Sequence, residues 1–221
     1  MHEYEHLSIK KKRMMVYFIE ATQNLLKKEG LTGVTIRKIA TAAGYNSATL
    51  YNYFPDLDYL ILFGSVCYLR DYISLLMKEL KPEMSSRSRY ETIYRCFNIN
   101  AFAYPEIFYN MFFGKYSNRL GKVIELYYSE LFPDELKGFS PEMQQMLVRG
   151  QLADRDQVVM EQMVADGYVA ADKEQATLEI IIALHERFIH QACLAGKELD
   201  CKEHATHFMQ LFHYVLDAAK P

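Results

Sequence analysis

The chain has 221 residues, enough for one large domain or a small one joined to a larger. Half of it is apolar and 24% charged, with 10 glycines and 6 prolines, which excludes collagen-like, linker-like and intrinsically disordered classes. The net charge of −3 divides unevenly: 8 Lys or Arg stand against 4 Asp or Glu up to Pro55, and 17 against 24 beyond it. A basic amino-terminal part ahead of an acidic remainder is compatible with nucleic-acid binding by the first part alone.

The longest nearly uncharged apolar run, residues 59–69, has 11 residues. A membrane-spanning helix needs ~18 to 20, so no span and no membrane partner are expected. The basic cluster Lys10, Lys11, Lys12 and Arg13 precedes only six apolar residues, too few for a signal-peptide core, and a cytoplasmic protein is expected. Four cysteines (Cys67, Cys96, Cys193 and Cys201) form no Cys-x-x-Cys pair and read as reduced thiols, although Cys193 and Cys201 are close enough in sequence to meet across a turn.

Apolar residues recur at three and four along nearly the whole chain, without strand-like alternation, so the fold class is all-α. Helices are predicted at residues 7–29, 35–43, 47–54, 57–80, 88–103, 105–115, 117–132, 141–165, 174–195 and 202–219. The first presents Met15, Phe18, Ile19, Thr22, Leu25 and Leu26 on one face and stops at Gly30. Pro105 and Pro141 suit first helical turns, Pro133 and Asp134 break the chain, and Gly167 and Gly196 sit at helix ends. Gly150 leaves open whether the helix at 141–165 is split.

Residues 35–54, TIRKIATAAGYNSATLYNYF, carry the most information. Thr35 caps a helix with Ile36, Ile39, Ala40 and Ala43 on one face, Gly44 supplies a positive φ, and Asn46 caps a second helix. Leu50 and Phe54 face inward there, which leaves Ser47, Ala48, Thr49, Tyr51, Asn52 and Tyr53 outward. Two helices joined by a short glycine-containing turn form a helix-turn-helix, whose second helix enters the DNA major groove.

Residues 18–60 resemble the DNA-binding domain of the TetR family of transcriptional regulators: Ala21, Leu25, Gly30, Thr35, Ile39, Ala40, Gly44, Leu50, Tyr51 and Phe54 fall at the family's motif positions without gaps. The segment DGYVAAD at 166–172, followed by an amphipathic helix pair, resembles a weaker family pattern. The resemblance implies a helix-turn-helix domain of three helices at residues 1–55 and a larger helical domain for effector binding and dimerisation at 56–221. It also implies phosphate contacts for Thr35 and Tyr51, a base or phosphate contact for Arg37, and a groove-facing surface of Ser47, Ala48, Thr49, Asn52 and Tyr53. There Arg37 suits guanine O6 and N7, Asn52 suits adenine, and the methyls of Ala48 and Thr49 suit thymine. Most relatives carry a lysine three residues past the Phe of the Tyr-x-Tyr-Phe string, where it meets a phosphate; here Leu57 takes that place, between Asp56 and Asp58.

Residues 90–132 hold 13 Phe or Tyr among 43 residues, about twice the 14% of the whole chain. The resemblance places an effector pocket in this region, with Tyr94, Phe97, Ala101, Phe108, Met111, Phe112, Val123 and Tyr127 as candidate linings. An organic cation, a flat or fatty apolar molecule and an anion all stay open as the small-molecule effector. In the last two helices Thr177, Ile181, Leu184 and Phe188, with Phe208, Leu211, Phe212, Val215, Leu216 and Ala219, form apolar stripes. They are expected to pack against their symmetry mates in a homodimer reading an inverted repeat of double-stranded DNA. His185, His190, His204, His207 and His213 lack a four-ligand spacing with Cys or carboxylate, no catalytic motif is present, and neither cofactor nor metal is expected. The reading is a ligand-responsive regulator, most simply a repressor released by its ligand; the rival is a helical small-molecule carrier whose helix-turn-helix no longer reads DNA.

Overall fold

The computed structural model describes residues 7–137, 139, 141, 144 and 155–221, and among these there is no strand. The α-helices are α1 (Ile9–Glu29), α2 (Ile36–Ala43), α3 (Ser47–Leu50), α4 (Leu57–Ser65), α5 (Leu69–Glu79), α6 (Ser86–Ala103), α7 (Pro105–Phe113), α8 (Leu120–Leu126), α9 (Arg155–Ala165), α10 (Glu174–Ala195) and α11 (Cys201–Ala218). The start predicted for the helix at 141–165, with Gly150, lies outside the described residues. The chain divides into two compact units, Met1–Cys67 with Asn110–Ala153, and Tyr68–Tyr109 with Asp154–Pro221.

In the first unit Ser8 caps α1, accepting from the Lys11 amide at 3.3 Å, and Lys27 and Lys28 suit the negative end of the helix dipole. Met15, Phe18 and Ile19 are fully buried, each contributing about 1.5 to 3 kcal/mol of transfer free energy. The Phe18 ring meets Tyr45, Tyr53 and Phe54, with centroids 5.6, 6.0 and 6.5 Å away, so one side chain of α1 gathers the two ends of residues 45–54, the candidate recognition segment. α4 lies against α1 so closely that a Cβ on Gly64 would stand 2.7 Å from Thr22 Cγ2; only glycine fits there.

Two predicted helices are subdivided. Leu57 to Leu80 reads as one amphipathic run, but a 3₁₀ turn at Val66–Tyr68 separates α4 from α5. By length and composition Leu57–Glu79 passes for a membrane span that the shorter uninterrupted run did not suggest; 61% of its apolar window is buried inside the protein, as in a core helix. Residues 117–132 become a 3₁₀ turn at Ser117–Arg119, α8, and a π-helical turn at Tyr127–Leu131 closed by the Phe132 amide on the Tyr127 carbonyl at 2.7 Å.

In the second unit α6 is the central element, packed against α5, α9, α10 and α11. Its Tyr90, Tyr94 and Phe97 are buried with Phe208 and Phe212 of α11. Asp200 caps α11, accepting from the Lys202 and Glu203 amides at 2.9 and 3.0 Å.

Candidate nucleic-acid interface

Local chemistry builds the α2–α3 pair as the sequence implies. Thr35 Oγ1 accepts from the Lys38 amide at 3.3 Å, which leaves its hydroxyl proton available to an outside acceptor. Gly44 stands at φ 79° and ψ 23°, the left-handed conformation that costs a residue with a Cβ but not glycine. The Tyr45 amide closes the turn on the Ala40 carbonyl at 2.8 Å. Asn46 Oδ1 then accepts from both the Thr49 amide, at 2.8 Å, and the Thr49 hydroxyl, at 3.0 Å.

The second helix is shorter than predicted. α3 ends at Leu50, and Tyr51–Tyr53 continue as tight turns, with the Asn52 amide on Thr49 O at 3.2 Å and the Tyr53 amide on Leu50 O at 3.0 Å. Pro55 bars a helical continuation through Phe54, since a residue preceding proline is pushed out of the helical region. Leu50 and Phe54 are buried, while Arg37, Thr35, Ala48, Tyr51 and Asn52 are exposed. Ser47, Thr49 and Tyr53 are half-buried, Tyr53 because its ring leans on Phe18. Tyr17 and Tyr45, both exposed and stacked at 6.5 Å, flank this surface without having been singled out by the motif.

The basic residues sort differently from their sequence order. Lys10 and Arg13 are exposed, but Lys12 is ion-paired with Glu130. Lys38 is held by Glu29 Oε2 at 2.5 Å and by the Gly33 carbonyl at 2.8 Å. That hydrogen bond is the first cause keeping the Glu29 carboxyl below its ordinary range.

Leu57 does open α4 between two acids, but the acids have company. Asp56 Oδ1 caps the helix through the Tyr59 amide at 2.9 Å, and Oδ2 accepts from Lys115 Nζ at 2.6 Å and from the Tyr116 hydroxyl at 2.8 Å. Burial alone would raise the Asp56 carboxyl; the bonds from Lys115, the Tyr59 amide and Tyr116 outweigh it and hold the group low. The Lys115 amine is raised, chiefly by its bond to Asp56. Nothing in the sequence ties Lys115 or Tyr116 to Asp56, about 60 residues away along the chain.

The candidate effector residues fall in both units. In the second, Tyr94, Phe97, Ala101 and Phe108 are buried. Tyr94 and Phe97 ring His185 at 5.1 and 4.8 Å, and Tyr94 donates to Asp156 Oδ2 at 3.2 Å. His185 Nε2 pairs with Asn98 Oδ1 at 3.0 Å, and the Asn98 Nδ2 beside it is buried without a hydrogen-bond partner among the described residues. In the first unit Met111, Val123 and Tyr127 are buried and Phe112 is half-buried. Gln23 Nε2 donates to the Tyr127 hydroxyl at 2.8 Å, which donates to Glu135 Oε1 at 3.0 Å.

Of the stripe predicted for subunit contact, Thr177, Ile181, Phe188, Phe208, Phe212, Leu216 and Ala219 are buried within the chain itself, and Leu184, Leu211 and Val215 are half-buried. Phe212 lies on Tyr90 and Tyr94 at 5.3 and 4.9 Å, so α6 already covers this face. The exposed large apolar side chains of α10 and α11 are instead Ile180, Ile182, Leu194 and Tyr214.

Several histidines have other work: His204 Nε2 meets the Phe188 carbonyl at 2.9 Å and His213 lies 3.4 Å from Glu91. All four cysteines are free thiols, and no cluster of metal-ligating side chains occurs among the described residues.

Residues 18–62 match the family model of bacterial regulatory proteins, tetR family. No curated protein matches the chain. Among solved structures the chain is similar to RolR in complex with resorcinol, with a TM-score of 0.60 and 15% identity over 95% of this chain and 94% of that one. It is also similar to FadR of Thermus thermophilus, a TetR-family repressor in complex with lauroyl-CoA, at 0.57 and 14% over 90% and 93%. A third is the fatty acid degradation regulator FadR of Bacillus halodurans, at 0.51 and 13% over 94% and 96%. Such identities speak for the fold, and the family model speaks for the amino-terminal segment. Residues 18–62 thus match the tetR family of bacterial regulatory proteins, and the chain as a whole has the fold of TetR-family regulators.

Proposed function

We propose that this protein is a cytoplasmic, ligand-responsive repressor that binds an inverted-repeat operator as a homodimer. The single observation behind this reading is the recognition segment: Leu50 and Phe54 are locked into the core while Arg37, Ala48, Tyr51 and Asn52 stand in solvent beside the Thr35 hydroxyl. Residues 1–55 act as the DNA-binding domain and 56–221 as the effector and dimerisation domain. Arg37 and Asn52 read base edges, Thr35 and Tyr51 hold phosphates, and Ser47, Ala48, Thr49 and Tyr53 shape the groove-facing surface.

The effector is a small organic molecule; the solved RolR and Thermus FadR complexes hold resorcinol and lauroyl-CoA. A ligand that binds the released conformation better than the DNA-bound one shifts the population toward release. The subunit contact uses the exposed Ile180, Ile182, Leu194 and Tyr214 with the half-buried Leu184, Leu211 and Val215, because the rest of the predicted stripe is occupied by the chain's own core.

A gel shift with the DNA upstream of the protein's own coding sequence tests the reading. Saturable binding that survives excess random DNA, and that Asn52→Ala weakens, is expected. Equal affinity for upstream and random DNA would reject sequence-specific regulation.

A further inference from the structure

Asp56 stands between the recognition segment and α4, and both of its carboxylate oxygens are engaged, one by the helix it caps and one by Lys115 and Tyr116. Lys115 Nζ also lies 3.8 Å from Asp58 Oδ2 and 5.0 Å from the centroid of the Tyr116 ring. The Tyr116 ring packs edge-on against Tyr59 at 5.0 Å, Tyr59 against Phe63 at 5.4 Å, and Phe63 against Phe54 at 5.6 Å. A polar tie and a run of rings thus connect the segment after α7 to both ends of the short stretch Phe54, Pro55 and Asp56, which begins where the turns of residues 51–53 end.

We infer that Lys115 and Tyr116 are positioning residues of the DNA-binding surface: by holding Asp56 they fix where α4 starts, and so where α3 and the exposed Tyr51 and Asn52 are presented. This deepens, and rests on, the DNA-binding reading. A surface ion pair standing alone contributes little, but this one ends on a residue whose other oxygen caps a buried-core helix, so its geometry is passed to the backbone.

Three substitutions separate positioning from charge. Asp56→Asn keeps a cap, since asparagine caps as well as aspartate, but removes the ion pair and one negative charge near the DNA. Lys115→Met removes the ion pair and one positive charge. Tyr116→Phe removes one hydrogen bond and no charge. Positioning predicts that all three weaken operator binding in the same direction, by roughly three- to tenfold, with the Asp56→Asn, Lys115→Met pair no worse than the worse single variant. It also predicts that the slope of log affinity against log salt stays that of the unaltered protein.

If Asp56→Asn tightens binding while Lys115→Met weakens it, charge alone is at work and the inference falls. If Lys115→Met flattens the slope by about 0.9, Lys115 is itself a phosphate contact and the inference also falls. Amide hydrogen exchange in the free protein gives an answer even if the protein binds no DNA, in which case only the regulator reading has failed. Faster exchange at Tyr53, Phe54 and Tyr59 in Lys115→Met and Tyr116→Phe supports the tie, and unchanged exchange overturns it.

Discussion

Gln23 on α1 donates a hydrogen bond of 2.8 Å to the hydroxyl of Tyr127, 104 residues further along the chain. Tyr127 is fully buried, and its own proton goes to Glu135 Oε1 at 3.0 Å. Burial, foremost, and the neighbouring Glu135 charge push the Tyr127 hydroxyl far above its ordinary titration range, so it remains a donor at any workable pH. Among the described residues Glu135 Oε2 is buried with no partner, and the Tyr127 bond is the one hydrogen bond its carboxylate receives.

Removing the hydroxyl therefore strands two groups at once. Tyr127→Phe is expected to lower stability by about 1 to 3 kcal/mol, the range for burying polar groups without partners, with little change in ring packing against Phe132. Urea unfolding measures it, and an unchanged midpoint would mean that the chain from Gln23 to Glu135 stabilises nothing.

The α1–α4 contact gives a steric prediction. Gly64→Ala places a methyl 2.7 Å from Thr22 Cγ2 and 3.2 Å from its Cβ, and overpacking of this kind costs about 1 to 3 kcal/mol. Thr22→Ser in the same chain removes the clashing methyl but keeps the hydroxyl that donates to the Phe18 carbonyl at 2.8 Å, and should restore most of the loss. No recovery in the thermal midpoint would place the strain elsewhere.

The recognition segment was legible because its signals are local. Thr35, Gly44 and Asn46 are each read from the chemistry of one or two neighbours, and the structure finds each doing that job. What the sequence could not show is which surface covers an apolar stripe. Phe208, Phe212 and Leu216 repeat at helical spacing whether a second copy or the chain's own α6 lies opposite, and Tyr90 and Tyr94 of α6 are what lies there. The 3₁₀ turn at Val66–Tyr68 and the π turn at Tyr127–Leu131 leave apolar spacing nearly intact, so periodicity reads through both. The partners of Asp56 were invisible for another reason: contacts across some 60 residues have no spacing to betray them.

The same tie carries a pH signature. The Asp56 carboxyl is held low, so the stability it contributes is present above its ordinary value of about 3.9 and is lost as pH falls through the lower folded value. The Lys115 amine is held high, so its contribution is present below about 10.4 and is lost as pH rises through the higher folded value. The stability difference between the unaltered protein and Asp56→Asn should be constant from about pH 5 to 9 and shrink outside that window. Urea titrations across pH measure it; a difference already gone at pH 5 would contradict the low Asp56 carboxyl.

Leu57 offers a gain-of-function test of how α4 meets DNA. With Asp56 engaged by Lys115, a lysine at position 57 adds a cation at the helix start, where the resemblance puts a phosphate contact. Leu57→Lys should tighten binding to operator and random DNA alike and steepen the salt slope by about 0.9, the value for one added phosphate contact. An unchanged slope would mean that this helix end does not face the DNA backbone.

Selection of duplexes from a random library by the purified protein tests sequence reading most directly. The enriched pool should converge on an inverted repeat whose half-sites lie about one helical turn, or a multiple of it, apart, as two symmetry-related recognition segments require, and Asn52→Ala should relax the consensus at one position of each half-site. A pool that stays random after repeated rounds, or a consensus without twofold symmetry, would contradict a dimeric, sequence-reading regulator.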